Sequence, residues 1–155
     1  DSVVEKCIKK KLRFGSKNAC FLSPEHSLRI GLYQPGIYEY VNPQYLSYEH
    51  WVEYSKVGDW CKIPREYRTE ETAFNSCFSY VNISSIEKEN PELMTLELAF
   101  KIVKKKPLYY TCLPRYIREK SYELALCYVE NYSGGIQTIF IPEEFLTTEL
   151  KNKLT

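Results

Sequence analysis

Hydrophobic and polar residues alternate with period two along much of this chain. Residues 93–103 show it best: Met94, Leu96, Leu98, Phe100 and Ile102 share one face, and Thr95, Glu97, Ala99, Lys101 and Val103 the other. Such alternation predicts a strand with one buried face. Residues 122–130 repeat the pattern with Tyr122, Leu124, Leu126 and Tyr128, and Leu28, Ile30 and Leu32 alternate with Arg29, Gly31 and Tyr33. Gln34-Pro35-Gly36 predicts a tight turn into a strand at 37–41. Gly134-Gly135 predicts a hairpin between 122–131 and 136–141. Further strands are expected at 7–14, 48–54, 77–83 and 108–113. About nine strands separated by turn residues predict an all-β protein, a β-sandwich of mostly antiparallel strands. Helices are minor in this reading: one turn between 114 and 122, and a short start at Pro142-Glu143-Glu144. No internal repeat, low-complexity tract or linker is read, so residues 1–155 are taken as one domain, complete or excised from the C-terminus of a larger secreted protein.

The six cysteines, Cys7, Cys20, Cys61, Cys77, Cys112 and Cys127, add covalent staples to that picture. None forms a C-x-x-C pair, so neither a zinc site nor a thioredoxin-like motif is expected. Their wide spacing predicts three disulfides closing long loops, with the connectivity open. Asn82-Ile83-Ser84 and Asn131-Tyr132-Ser133 fit the glycosylation triplet. Together these features predict a secreted, extracellular protein. The formal net charge of +1 argues against nucleic-acid binding. No apolar run approaches the ~18 residues of a membrane span. The charge is unevenly spread, with residues 18–100 acidic and residues 1–17 and 101–120 basic.

Little in the sequence points to catalysis. The histidines are His26 and His50, and no phosphate-binding loop, nucleophile elbow, dinucleotide fingerprint or zinc-protease motif occurs. On a strand, Glu49 and Glu53 would lie roughly 13 Å apart, too far for glycoside hydrolysis. The chain is therefore read as a non-enzyme without metal or cofactor. Trp51, flanked by Glu49 and Glu53 on one face of the 48–54 strand, is either an interface anchor or a core residue. Lys104-Lys105-Lys106, with Lys101, Arg115, Arg118 and Lys120 and the interleaved Tyr109, Tyr110 and Tyr116, is either a glycosaminoglycan contact or a solvated loop.

The strand layout, six cysteines, sequons, tyrosine-rich composition and lack of a catalytic set resemble a poxvirus secreted immune-evasion domain. In size the chain is similar to the SECRET domain, the chemokine-binding C-terminal module of viral TNF-receptor homologues, related in fold to viral CC-chemokine inhibitors. The resemblance implies a β-sandwich that sequesters host chemokines and blocks receptor engagement. Chemokines are basic, which suits the acidic 18–100 segment. The residues themselves, rather than the family, suggest Glu39, Glu49, Trp51, Glu53 and Asp59 as the chemokine-binding surface. A related sandwich aimed at another host target (a cytokine, MHC molecule or surface receptor) and an extracellular glycan-binding module are the alternatives.

Overall fold

A computed structural model describes residues 2–19, 21–79 and 83–153. Every regular element among them is helical, and the expected all-β sandwich is overturned. The α-helices are α1 (Val3–Lys9), α2 (Ser16–Ala19), α3 (Pro24–Gly31), α4 (Tyr48–Ser55), α5 (Glu70–Ser76), α6 (Ile83–Glu89), α7 (Leu96–Lys105), α8 (Arg115–Arg118), α9 (Tyr122–Asn131) and α10 (Thr148–Asn152). One or two 3-10 turns stand between α3 and α4, α4 and α5, α6 and α7, α7 and α8, and α9 and α10. The strands expected at 48–54, 93–103 and 122–130 give way to α4, α7 and α9, the one at 7–14 overlaps the end of α1, the alternation at 28–33 runs over the end of α3, and the one at 136–141 holds a 3-10 turn, Thr138–Phe140. Those at 37–41 and 108–113 fall within 3-10 turns, Pro35–Tyr40 and Pro107–Cys112. The chain divides into two compact units, Asp1–Tyr80 and Val81–Thr155.

Helix α7 shows why alternation misleads. Its buried residues are Leu98, Ala99, Ile102 and Val103, two adjacent pairs four apart, which is a helical stripe. Leu98 and Ile102 belong to the alternating set as well, so both periods are present. The helix ends decide between them. Thr95 Oγ1 accepts the Leu98 N–H at 3.1 Å, Glu97 sits in the first turn, and Lys104 and Lys105 sit in the last. The cap contributes about 1 kcal/mol, and the charges complement the helix dipole.

The same start recurs along the chain, and this is an internal repeat that period-two reading hides. A capping Ser or Thr followed two residues later by Glu occurs at Ser23, Ser47, Thr69, Thr95, Ser121 and Thr147, at spacings of 24, 22, 26, 26 and 26 residues. Each is the N-cap of an α-helix: α3, α4, α5, α7, α9 and α10. In the first five copies the buried positions follow the cap in register. Four residues on stand Ser27, Trp51, Ala73, Ala99 and Ala125; seven on, Ile30, Tyr54, Ser76, Ile102 and Tyr128. Four of the caps, Ser47, Thr69, Ser121 and Thr147, are preceded by a proline-led turn entered from a buried aliphatic residue, respectively Val41, Ile63, Leu113 and Ile141. Proline stops the preceding segment and presets the turn.

Each unit carries three of these copies. In Asp1–Tyr80, α3 and α4 both pack on the Pro35–Tyr40 turn, and α4 packs on α5. Trp51 meets the Tyr54 ring edge-on at 5.5 Å and stacks near Tyr67 at 6.2 Å. In Val81–Thr155, α7 packs on α9 and both pack on the Pro107–Cys112 turn. Tyr110 and Tyr128 stack face to face, 4.7 Å apart, and burial pushes the Tyr110 hydroxyl up to about 12. One arginine recurs beside the proline turns. Arg68 Nε donates to Ile63 O and Arg118 Nε to Leu113 O, each five residues back, with the guanidinium over Trp60 or Phe140.

The disulfide expectation is also corrected. Cys7, Cys61, Cys77, Cys112 and Cys127 are thiols, not bonded to one another, and Cys20 lies outside the described residues. Cys61, Cys77, Cys112 and Cys127 stand in separate copies of the repeat, and Cys7 lies on α1 ahead of the first. Burial pushes the Cys77 thiol up to about 12. Iodoacetamide at pH 8 is therefore expected to label exposed Cys112 in the native protein and Cys77 only after unfolding, read by peptide mass mapping. Equal native labelling of the two would contradict the burial of α5.

Candidate functional site

Of the five residues suggested as a binding surface, the four acids are exposed and the tryptophan is not. Trp51 is 2 % exposed and belongs to the core. Glu49 and Glu53 stand one helical turn apart on α4, not at the strand spacing of the earlier estimate. Both are exposed, and each has its own partner: Ser47 Oγ donates to Glu49, and Lys56 to Glu53. The Ser47 bond holds the Glu49 carboxyl below the usual carboxylate range. Glu39 and Asp59, by contrast, are brought together. Tyr54 Oη donates to Glu39 Oε2 at 2.9 Å and accepts the Asp59 N–H at 3.2 Å. Burial and the Glu39 bond push the Tyr54 hydroxyl far up, so it stays protonated.

Glu39, Tyr54 and Asp59 line one half of a groove in the Asp1–Tyr80 unit, of about 330 Å³. Gly36 and Val57 close that half and also line the next, a recess of about 590 Å³. Its other walls include Lys11, Arg13, Phe14 and Tyr33. The groove thus runs from a cationic end over an apolar middle to an acidic end. The cationic wall is built by two local devices. Helix α1 ends in a Schellman motif, with the Leu12 N–H on Cys7 O and the Lys11 N–H on Ile8 O, both at 3.0 Å. Lys11 takes the left-handed position with φ of 49°, where glycine is usual. Next, Gln34 clamps the segment: the Phe14 N–H donates to Gln34 Oε1 at 3.0 Å and Gln34 Nε2 donates to Phe14 O at 2.8 Å.

A second cluster links Ser23, His26 and Glu5. Ser23 Oγ lies 2.7 Å from His26 Nδ1, and His26 Nε2 lies 3.3 Å from Glu5 Oε1. That chain of contacts looks like a nucleophile, base and acid. Its context is structural. Ser23 Oγ also takes the His26 N–H as the cap of α3, and Ser47 and His50 repeat the arrangement at 2.9 Å on α4. The cluster's output is to hold α1 on α3, because Arg29 donates twice to Glu5. Those hydrogen bonds keep the Glu5 carboxyl below the usual range. A depressed carboxyl stabilises the native state above its unfolded pKa of ~4.3, and that contribution is lost as pH falls through the native value. An NMR titration of the Arg29 Nε–H resonance is expected to move with a midpoint below pH ~4.3, and Glu5→Gln is expected to abolish that movement.

The 101–120 segment is largely engaged with the protein itself. Lys101 pairs with Glu97 at 2.9 Å and Arg115 with Glu119. Lys106 lies over Tyr109 and Lys120 over Tyr116. Asn131 ends α9 and donates its amide to Cys127 O, and Asn82 lies outside the described residues. No group of three His, Cys, Asp or Glu side chains able to hold a metal ion occurs among the described residues. No described helix is long and apolar enough to cross a membrane. Sequence reasoning weighed Lys11 only within the basic run Lys9-Lys10-Lys11, favoured as a solvated segment, and gave Arg13 and Phe14 no role, since only folding of the N-terminal segment onto Gln34 brings them together. No family model, curated protein or solved structure compared with this chain matches it.

Proposed function

We propose that this chain is a protein-binding module built from a short helical repeat, acting by recognition and not by catalysis. The observation that carries this reading is the recurrence of one capped helix in six copies. Stacked helical repeats use their recurrent residues for caps and core and leave the outer positions free to vary, which is how such proteins acquire binding surfaces. The two histidines, the first residues to ask for catalysis, are used here at helix starts. With the sandwich gone, the resemblance no longer supplies a sheet face for a chemokine. Chemokines therefore enter as one arm of the test, not as its premise.

Selection from displayed random peptide libraries on the immobilised full chain, with a chemokine panel measured in parallel, tests the reading. Enrichment of related sequences that bind saturably, and are competed by soluble chain, is expected. Repeated selections yielding no saturable ligand, with circular dichroism showing a folded helical protein, would overturn it.

A further inference from the structure

The geometry points to the groove of the Asp1–Tyr80 unit as the site for a linear peptide that is acidic, then apolar, then basic; this inference rests on the protein-binding reading and names its partner. Three observations carry it. First, the charges at the two ends differ in how they are used. Glu39 holds the Tyr54 hydroxyl, and Asp59 Oδ1 takes the Cys61 N–H at 2.9 Å. Lys11 and Arg13 are exposed and have no side-chain partner among the described residues. An acidic segment would complete the cationic end, and a basic residue would meet carboxylates already held in place.

Second, the middle suits a side chain and a backbone at once. Phe14, Tyr33 and Val57 offer apolar surface, Val57 being 46 % exposed. Gly36 bears no side chain between them, and a Cβ built there meets nothing within 4 Å. The gap at glycine admits a peptide backbone over the turn. Third, the wall is preorganised. The Gln34 clamp fixes Phe14 before any ligand arrives, which lowers the ordering cost of binding. Lysine occupies a left-handed position where glycine is conformationally easier, so the charge is kept against the local backbone preference.

Fluorescence anisotropy of the labelled peptide EEDLFSGKK with the full chain tests this at low and at physiological salt. Saturable binding in the range of tens of micromolar, weakening with salt, is expected. The peptide KKGLFSGKK, whose like-charged ends cannot match both ends of the groove in either direction, and the variant K11E/R13E are each expected to bind about tenfold more weakly. Gly36→Phe is expected to block the groove while leaving the helical spectrum intact. Lys11→Gly is expected to raise the thermal midpoint yet weaken the peptide, a split that a purely structural role for Lys11 would not produce. Absence of binding to the folded wild type at millimolar peptide, or equal affinity for K11E/R13E, would overturn the groove assignment. If library selection still returned ligands in that case, the protein-binding reading would stand without it.

Discussion

Trp51→Ala is expected to destabilise the Asp1–Tyr80 unit by about 3–5 kcal/mol, the range for truncating a large buried aromatic. The indole is 2 % exposed and lies between Tyr54 and Tyr67. Removing it deletes the contact surface that joins α4 to the Arg65–Tyr67 turn, and it leaves a cavity which neighbouring rings cannot fill without leaving their rotamers. The Trp51 Nε1 atom is buried without a hydrogen-bond partner, so its loss forfeits no polar contact and the whole effect is packing. Trp51→Phe, which keeps an aromatic body, is expected to cost much less. Glu53→Lys changes an exposed residue paired only with Lys56 and is expected to stay within about 0.5 kcal/mol. Urea denaturation read by far-ultraviolet circular dichroism, a signal common to the wild type and every variant, checks all three. A cost below about 1 kcal/mol for Trp51→Ala would place the indole outside the core.

The two sequence readings of Trp51, surface anchor or core, show what was legible. Alternation put Glu49, Trp51 and Glu53 on one face, whereas on a helix the residue two positions from each exposed glutamate points inward. Of Tyr122, Leu124, Leu126 and Tyr128, expected on one strand face, Tyr122 and Leu126 are half-buried and Leu124 and Tyr128 share a buried helical stripe. What failed was the period, because Ala125 and Val129 are buried beside them. Tyrosine, valine and isoleucine favour strands by propensity, and tertiary packing overrode that preference. The decisive signal was polar: Ser or Thr, then Glu two residues on, six times over. That spacing marks helix N-termini, where an oxygen caps the third amide and a carboxylate meets the dipole. The groove was less legible. Pro35-Gly36 announced a turn, but neither charge nor pattern tied Lys11 and Arg13 to it, because their contact depends on Gln34 reaching back twenty residues to Phe14.

Gly31→Val is expected to cost about 3 kcal/mol, at the upper end for overpacking a core. Gly31 is the eighth residue after its cap, the position held by Ser55, Cys77, Val103 and Val129 in other copies. An average over the repeats would therefore write a side chain there, and valine is present in two of the copies. Yet a Cβ built on Gly31 lies 2.0 Å from the Tyr38 ring, and that ring is 1 % exposed. The space that a side chain fills in α7 and α9 is filled here by the tyrosine of the following turn. Tyr38 is itself held edge-on by His50, 5.1 Å away, so it cannot swing aside without disturbing α4. Tyr38→Ala is expected to be destabilising alone, and combining it with Gly31→Val should cost less than the two single changes added together, since the new methyls then occupy the vacated space. Strict additivity of the two would mean that the ring and the glycine do not share that space. Gly36→Ala supplies the contrast five residues on: with nothing near its Cβ and no positive φ, it is expected to leave stability unchanged or raise it by up to about 1 kcal/mol through the unfolded chain. Opposite signs for two glycines in one stretch of chain would separate the residue that packing requires from the one that the groove leaves open.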